Sequence, residues 1–425
     1  MNGSFPLRYL LIGLLALAPL GLRYLTWRAG RSQPVDPAMA QAGQTLFVHE
    51  WTPNDPLANG GDGLGPVFNA RSCVACHMQG GVGGSSGLEH NVTTFAVRPE
   101  GSEQAREGVV HAAAVAVSFQ ENLRQVDSRL PPMERPPLGA LVTIPHCGRN
   151  PLNFSPGVHV SQRNTPALFG AKLIDEIPDR VIVARERSQR LKYGMAAPDR
   201  EDVPVGRALR LAGGRIGHFG WKAQSASLLD FVQAACANEL GLSNPGHAQP
   251  HPLSKPDYQD RDLDLTLEQC TQLTAFVASL ARPTERIPAS LQAAEQAHAG
   301  KKLFSKIGCA ECHTPDMGSV EGLYSDLLLH QMGELLIGGG SYHEPPVEFP
   351  KFKKAESPQN SEWRTPPLWG VADSAPYMHD GRANTLEDAI KLHGGQGAAS
   401  AQNFRQLSDA EQKQVLAFLN TLKAP

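Results

Sequence analysis

Apolar positions fall into a few helix-length stripes, separated by long stretches that are polar or rich in glycine and proline. Two stripes open alike. Ser227-Leu-Leu-Asp230 and Thr385-Leu-Glu-Asp388 both have the form of a capping box, a hydroxyl followed three residues on by an acid. After the first, Leu228, Val232, Ala235 and Glu239 recur at helical spacing; after the second, Leu386, Ile390 and His393 do the same. Two further amphipathic stripes end in Ala275-Phe-Val-Ala-Ser-Leu280 and Ala417-Phe-Leu-Asn-Thr-Leu422, and begin near Leu265 and Leu407. No extended stretch alternates apolar and polar residues as half-buried strands do. The expected fold class is therefore mainly α, with helices joined by long ordered loops.

The stripes belong to a diverged internal duplication. Ala42-Gly-Gln-Thr-Leu-Phe47 recurs as Ala299-Gly-Lys-Lys-Leu-Phe304, and Thr165-Pro-Ala-Leu-Phe-Gly170 as Thr365-Pro-Pro-Leu-Trp-Gly370. This places one unit at 38–283 and a second at 288–425. The boundary falls in Ala281-Arg-Pro-Thr-Glu-Arg-Ile-Pro288, which is polar and holds two prolines. The first unit is enlarged by the glycine-rich stretch 80–87 and by 91–160, for which the sequence offers no chemical reading. Segments 244–262 and 338–361 read as loops by composition.

Residues 1–37 read as an export signal or a membrane anchor with its linker. Arg8 precedes a mostly apolar run from Tyr9 to Leu22, of signal-peptide length. Pro19 after the small pair Ala16 and Ala18 disfavours cleavage there. Extending the run through Arg23 to Trp27 makes it long enough for an anchor, so both outcomes stay open. The expected location is periplasmic or otherwise exported.

Composition adds two constraints. A formal charge of −3 without long single-sign runs gives no reason to expect a nucleic-acid partner. Aromatic residues make up only 6% of a chain with 41 glycines and 34 prolines, so bound cofactors are well suited to fill the core.

The chemistry lies in Cys73-Val-Ala-Cys76-His77 and Cys309-Ala-Glu-Cys312-His313, each following one copy of the Ala-Gly-x-x-Leu-Phe lead-in. Two thiols at this spacing form thioethers with the two vinyl groups of a haem, and the adjacent histidine ligates the iron. A redox dithiol would not require the histidine twice, and a zinc site would need a second ligand pair per unit. The reading is two covalently bound haem c groups, in tandem cytochrome c-like domains. Cys147, Cys236 and Cys270 stand singly; Cys236 and Cys270 either pair or remain buried thiols.

The two capped stripes predict that the sites differ. His393 lies on a buried stripe and is a natural sixth ligand for the second haem, with Met378 as its rival. Its counterpart in the first unit is Ala235, which cannot bind iron, and the next residue on that stripe is Glu239. An open site beside a carboxylate suits peroxide chemistry, in which an acid–base group carries a proton between the two oxygens as the O–O bond breaks. Trp221, in Phe219-Gly-Trp-Lys-Ala223, is a candidate electron relay.

Gly63-Leu-Gly-Pro-Val-Phe-Asn-Ala-Arg-Ser-Cys73, Phe219-Gly-Trp-Lys-Ala223, Tyr324-Ser-Asp-Leu-Leu-Leu-His330 and His379-Asp-Gly-Arg-Ala383 resemble the di-haem oxidoreductase family of peroxidase-like proteins. Some members of that family carry the label thiol oxidoreductase. The chain is more distantly similar to bacterial di-haem cytochrome c peroxidases and to the methylamine dehydrogenase maturation enzyme. The similarity runs from about 42 to 422 and is thin over 91–160. It implies a peroxidatic first haem and an electron-transfer second haem. It also implies that Trp221 lies between the haems and that Glu239 is close to the distal glutamate, two residues off in spacing. His393 stands where the peroxidases carry a methionine, His218 where arginine is expected, and His90 near the offset of a displaceable distal histidine.

Three functions follow. The leading one is a haem-dependent oxidoreductase that reduces hydrogen peroxide, or uses it to oxidise a partner, with electrons from a small redox protein or other donor. The second is a di-haem electron carrier without catalysis. The third is a maturation enzyme that oxidises a protein partner at long range. No Cys-x-x-Cys lies outside the two haem motifs to support thiol oxidation.

Overall fold

In a computed structural model the described residues are 34–97, 106–128, 158–194, 203–338 and 361–425. The N-terminal apolar run and Cys147 lie outside them. Two helix crossings organise the molecule, and both arise from the duplicated lead-in. Helix α1 (Pro37–Val48) packs on α4 (Leu267–Ser279), and α5 (Leu291–Lys306) packs on α8 (Asp409–Leu419).

The glycine of each lead-in explains why that motif recurs. A Cβ on Gly43 would sit 1.8 Å from the Gln272 carbonyl oxygen, and one on Gly300 would sit 1.8 Å from that of Gln414. The helices touch backbone to backbone, which only glycine allows. Phe47 and Phe304 fill the space beneath their crossings and are 2% and 4% exposed. Both closing helices begin with complete capping boxes, Thr266 with Gln269 and Ser408 with Glu411, one residue beyond the expected Leu265 and Leu407.

In the chain, α2 (Asp179–Gln189) and α3 (Leu228–Leu240) fall between the members of the first pair, and α6 (Leu386–Leu392) and α7 (Ala398–Gln406) between those of the second. Ser227 caps α3 and Thr385 caps α6, each accepting from the N–H three residues on. Helix α6 is shorter than its stripe suggested: it stops at Leu392, and His393 is its C-cap with extended backbone.

A three-stranded antiparallel sheet, Arg106–Val110, Val92–Val97 and Val158–Arg163 in spatial order, was not anticipated. Val92, Thr93, Thr94 and Phe95 are all buried, so the central strand has no exposed face to produce an alternating pattern. A two-residue strand, Ala113–Ala114, pairs with Val67–Phe68 and ties this insertion to the segment preceding the first cysteine motif. Among the described residues no helix is long and apolar enough to cross a membrane. Asp36–Pro425 form one compact unit.

Candidate functional site

Each cysteine motif closes into a single tight turn. The His77 N–H donates to the Cys73 carbonyl and the His313 N–H to the Cys309 carbonyl, both at 3.0 Å. His77 Nδ1 then lies 3.0 Å from the Gly84 carbonyl oxygen, and His313 Nδ1 3.0 Å from that of Tyr324. Engaging Nδ1 with a carbonyl fixes the ring and leaves Nε2 free to bind a metal, the arrangement of metal-bound histidines generally. Burial pushes both imidazoles down to about 4, so they stay neutral, the form that binds a metal. Burial likewise pushes the Cys73 and Cys309 thiols up to about 12.

Each motif opens on a largely apolar cavity. The first, about 120 Å³, is lined by Cys73, Cys76, His77, His90, Trp221, Ala235 and Glu239 among others. The second, about 300 Å³, is lined by Cys309, Cys312, His313, His330, Met378 and His393 among others. Two thiols, a neutral histidine and an apolar chamber fit a covalently attached haem in both places.

The residues that share a cavity with His77 differ from those that share one with His313. In the second cavity the rings of His313 and His393 lie edge to face, with centroids 6.3 Å apart. Two metal–nitrogen bonds of about 2 Å, together with the half-widths of two rings, come to about this span. His393 Nδ1 is 2.7 Å from the Ala389 carbonyl oxygen, which leaves its Nε2 as ligand atom. Met378 also lines this cavity, in a left-handed backbone conformation with φ 74°.

In the first cavity α3 presents Ala235 and, one turn later, Glu239. The Glu239 side chain is held firmly. Its Oε2 accepts from Asn69 Nδ2 at 2.8 Å, and its carbonyl accepts the backbone N–H groups of Asn69 at 2.8 Å and Ala70 at 3.2 Å. The Asn69 amide is oriented in turn by the Ala112 N–H, which donates to Oδ1 at 2.9 Å. His111 lies beside this contact with both ring nitrogens engaged, Nδ1 3.0 Å from Glu121 Oε2 and Nε2 3.0 Å from the Asn238 carbonyl oxygen. Residues His111, Ala112 and Glu121 thus brace the end of the helix that carries Glu239.

Trp221 lines both cavities, and its Nε1 donates to the Asn164 carbonyl at 2.8 Å. The adjoining wall carries two basic side chains. Lys222 Nζ lies 3.7 Å from the centre of the Trp363 ring and Arg163 Cζ lies 4.5 Å from it, while His379 stacks on Trp363 at 3.7 Å. Burial pushes the Lys222 ammonium well below its ordinary range.

The sequence profile of the family described as "Di-haem oxidoreductase, putative peroxidase" matches residues 153–422. The chain belongs to this family. The resemblance read from the sequence motifs is thereby borne out, and with it two haem groups per chain, in a family of haem-dependent oxidoreductases. Among curated proteins, methylamine utilization protein MauG of Methylorubrum extorquens is 30% identical over 29% of this chain and 34% of its own length. Cytochrome c551 peroxidase of Nitrosomonas europaea is 23% identical over 48% of this chain and 60% of its own. The chain therefore spans between about a third and three fifths of these relatives. The solved diheme peroxidase BthA from Burkholderia thailandensis is similar at 17% identity, covering 92% of this chain and 86% of its own, with a TM-score of 0.35.

The remaining sequence candidates are placed as follows. His90 joins Glu239 in the first cavity. His218 is buried and turns to Asp179 Oδ1, 3.0 Å away, and to the Ile174 carbonyl. Cys236 and Cys270 are buried free thiols in one core cluster. Sequence reasoning assigned no role to Asn69, His111, Glu121, Asp326 or His330. Asn69 and His330 lay within quoted motifs, whereas His111 meets Asn238 across 127 positions, a pairing that no local pattern signals.

Proposed function

We propose that this chain is an exported di-haem c-type cytochrome that reduces hydrogen peroxide, or uses it to oxidise a partner, at the first cavity. Electrons reach that cavity through the second. One haem is attached at Cys73 and Cys76 with His77 as ligand. The other would be attached at Cys309 and Cys312 and held by His313 and His393. The units 38–283 and 288–425 are tandem cytochrome c-like domains, and 1–37 delivers the protein to the periplasm or holds it at the membrane. A small redox protein or similar donor supplies the electrons.

The observation that carries this reading is the contrast between the cavities. His393 stands 6.3 Å from His313 in the second, whereas α3 offers Ala235 and a held carboxylate, Glu239, in the first. A bound haem supplies the iron at which peroxide is activated. With a haem bound there, Glu239 would take a proton from one peroxide oxygen and return it to the other, which leaves as water. Asn69 keeps the carboxylate in place for both transfers. Trp221, in the wall shared by the two cavities, passes the charge. The complete reduction consumes two electrons and two protons and yields two waters.

Stopped-flow mixing with hydrogen peroxide tests the proposal. A positioned acid–base group contributes roughly 10²–10⁴-fold in rate. Glu239→Gln therefore slows the Soret response to peroxide by about that factor, while the resting spectrum stays nearly unchanged. An unmutated protein whose Soret band ignores peroxide, both oxidised and partly reduced, overturns the reading. His90, which also lines the first cavity, favours a second reading in that event, a six-coordinate di-haem electron carrier. Electron paramagnetic resonance of the oxidised protein distinguishes the two by the spin state of the first haem.

A further inference from the structure

The wall of the second cavity holds a buried group that peroxide reduction does not use. His330 is 2% exposed, and its Nδ1 lies 3.6 Å from Cys312 Sγ. The same nitrogen is 2.7 Å from Gln396 Oε1, and Nε2 is 2.9 Å from Asp326 Oδ2. The orientation of the Gln396 amide is set from the other side: its Nε2 donates to the Val205 carbonyl at 3.1 Å, so the oxygen is what faces the ring. Asp326 is fully buried and accepts from Gln189 Nε2 at 2.8 Å and from the Leu328 N–H at 3.0 Å.

Both ring nitrogens of His330 therefore face acceptors. An imidazole can satisfy two acceptors only by carrying a proton on each nitrogen, which makes it a cation. Asp326, on the Nε2 side, is the counter-ion. The Nδ1 side faces Cys312, so the pair is a fixed dipole with its positive end toward the second cavity, which His330 and Gln396 both line. Inside a protein such a dipole acts at a much lower effective dielectric than in water. Asp326, His330 and Cys312 could together hold a metal ion, but the Cys312 sulfur is the second thiol of the attachment motif.

We propose that His330, held by Asp326 and Gln396, is a positioning residue that raises the reduction potential of the second haem. A positive end beside the haem edge favours the form carrying the extra electron. It offsets part of what a histidine at position 393 forgoes relative to the potential-raising methionine ligand. The inference rests on the reading that a haem is attached at Cys309 and Cys312. It does not depend on the chemistry of the first cavity.

Spectroelectrochemical titration of the full-length, haem-loaded protein tests it. His330→Gln removes the charge and shifts the second-haem equilibrium toward the oxidised form by on the order of tenfold, about 59 mV for a one-electron couple. His330→Lys, which keeps the charge, restores most of that shift. Gln396→Glu sets a second carboxylate against the ring and lowers the potential in the same direction, so the proposal remains testable if His330→Gln does not fold. Unchanged second-haem potentials in His330→Gln and Gln396→Glu, with two haems bound, overturn the inference. A haem count of one per chain in the denatured, acid-acetone-extracted parent protein overturns instead the attachment reading beneath it.

Discussion

Helices α3 and α6 start alike and finish differently, and that difference separates the two cavities. Each follows a hydroxyl cap and sends leucine, then valine or isoleucine, down its apolar stripe. Helix α6 then stops at Leu392, so that His393, at the first extended residue, turns toward His313. Helix α3 continues to Leu240, passes the equivalent position as Ala235, and brings Glu239 to its cavity. A single frame thus gives a site with a facing histidine and a site with a facing acid. The stop signal is local. His393 is followed by two glycines, Gly394 and Gly395, and Gly395 has φ 49°, so a helix ends there easily. In the first half Gly241, at φ 66°, plays the part of the C-terminal glycine a little over one turn later.

The sharpest way to break this comparison is His393→Ala. If the histidine closes the second site, its low-spin resonance signal converts wholly to a high-spin or five-coordinate one. The same conversion on Met378→Ala, with His393→Ala silent, would move the ligand to Met378. The duplicated crossings give the next largest effect. Gly43→Ala and Gly300→Ala each drive a methyl group into a partner backbone, and overpacking of this kind costs about 1–3 kcal/mol or more. The two variants should lose similar stability by denaturant titration if the halves are true structural repeats. A cost at only one crossing would show that the frame is shared in sequence alone. The smallest effect is expected from Trp221→Phe. It leaves peroxide binding intact and impairs electron sharing between the haems, read as slower loss of the second-haem reduced band after peroxide is added. An unchanged rate would remove Trp221 from the path.

Much of this was legible because it is local. The Cys-x-x-Cys-His turns, the hydroxyl caps at Ser227 and Thr385 and the glycine–phenylalanine lead-ins each complete their geometry within a few residues. The helix stripes then predicted which residues face inward, including Ala235, Glu239 and His393. Legibility failed where both faces of an element are buried, as in the strand Val92–Val97, because binary patterning needs an exposed face to contrast with. It also failed for the extent of α6, whose stripe reads as continuing through His393.

By itself, then, the sequence determined the two Cys-x-x-Cys-His turns, the duplicated lead-ins and the asymmetry between a histidine and an acid at matching places. The tertiary structure decided what holds those groups. Asn69 grips Glu239 across 170 positions, Trp221 comes to line both cavities, and Gln396 reaches back 66 positions to His330. Hydrogen-bond partners so far apart in the chain meet only once the cores beneath them have packed, and no periodicity in the residues between them records the meeting.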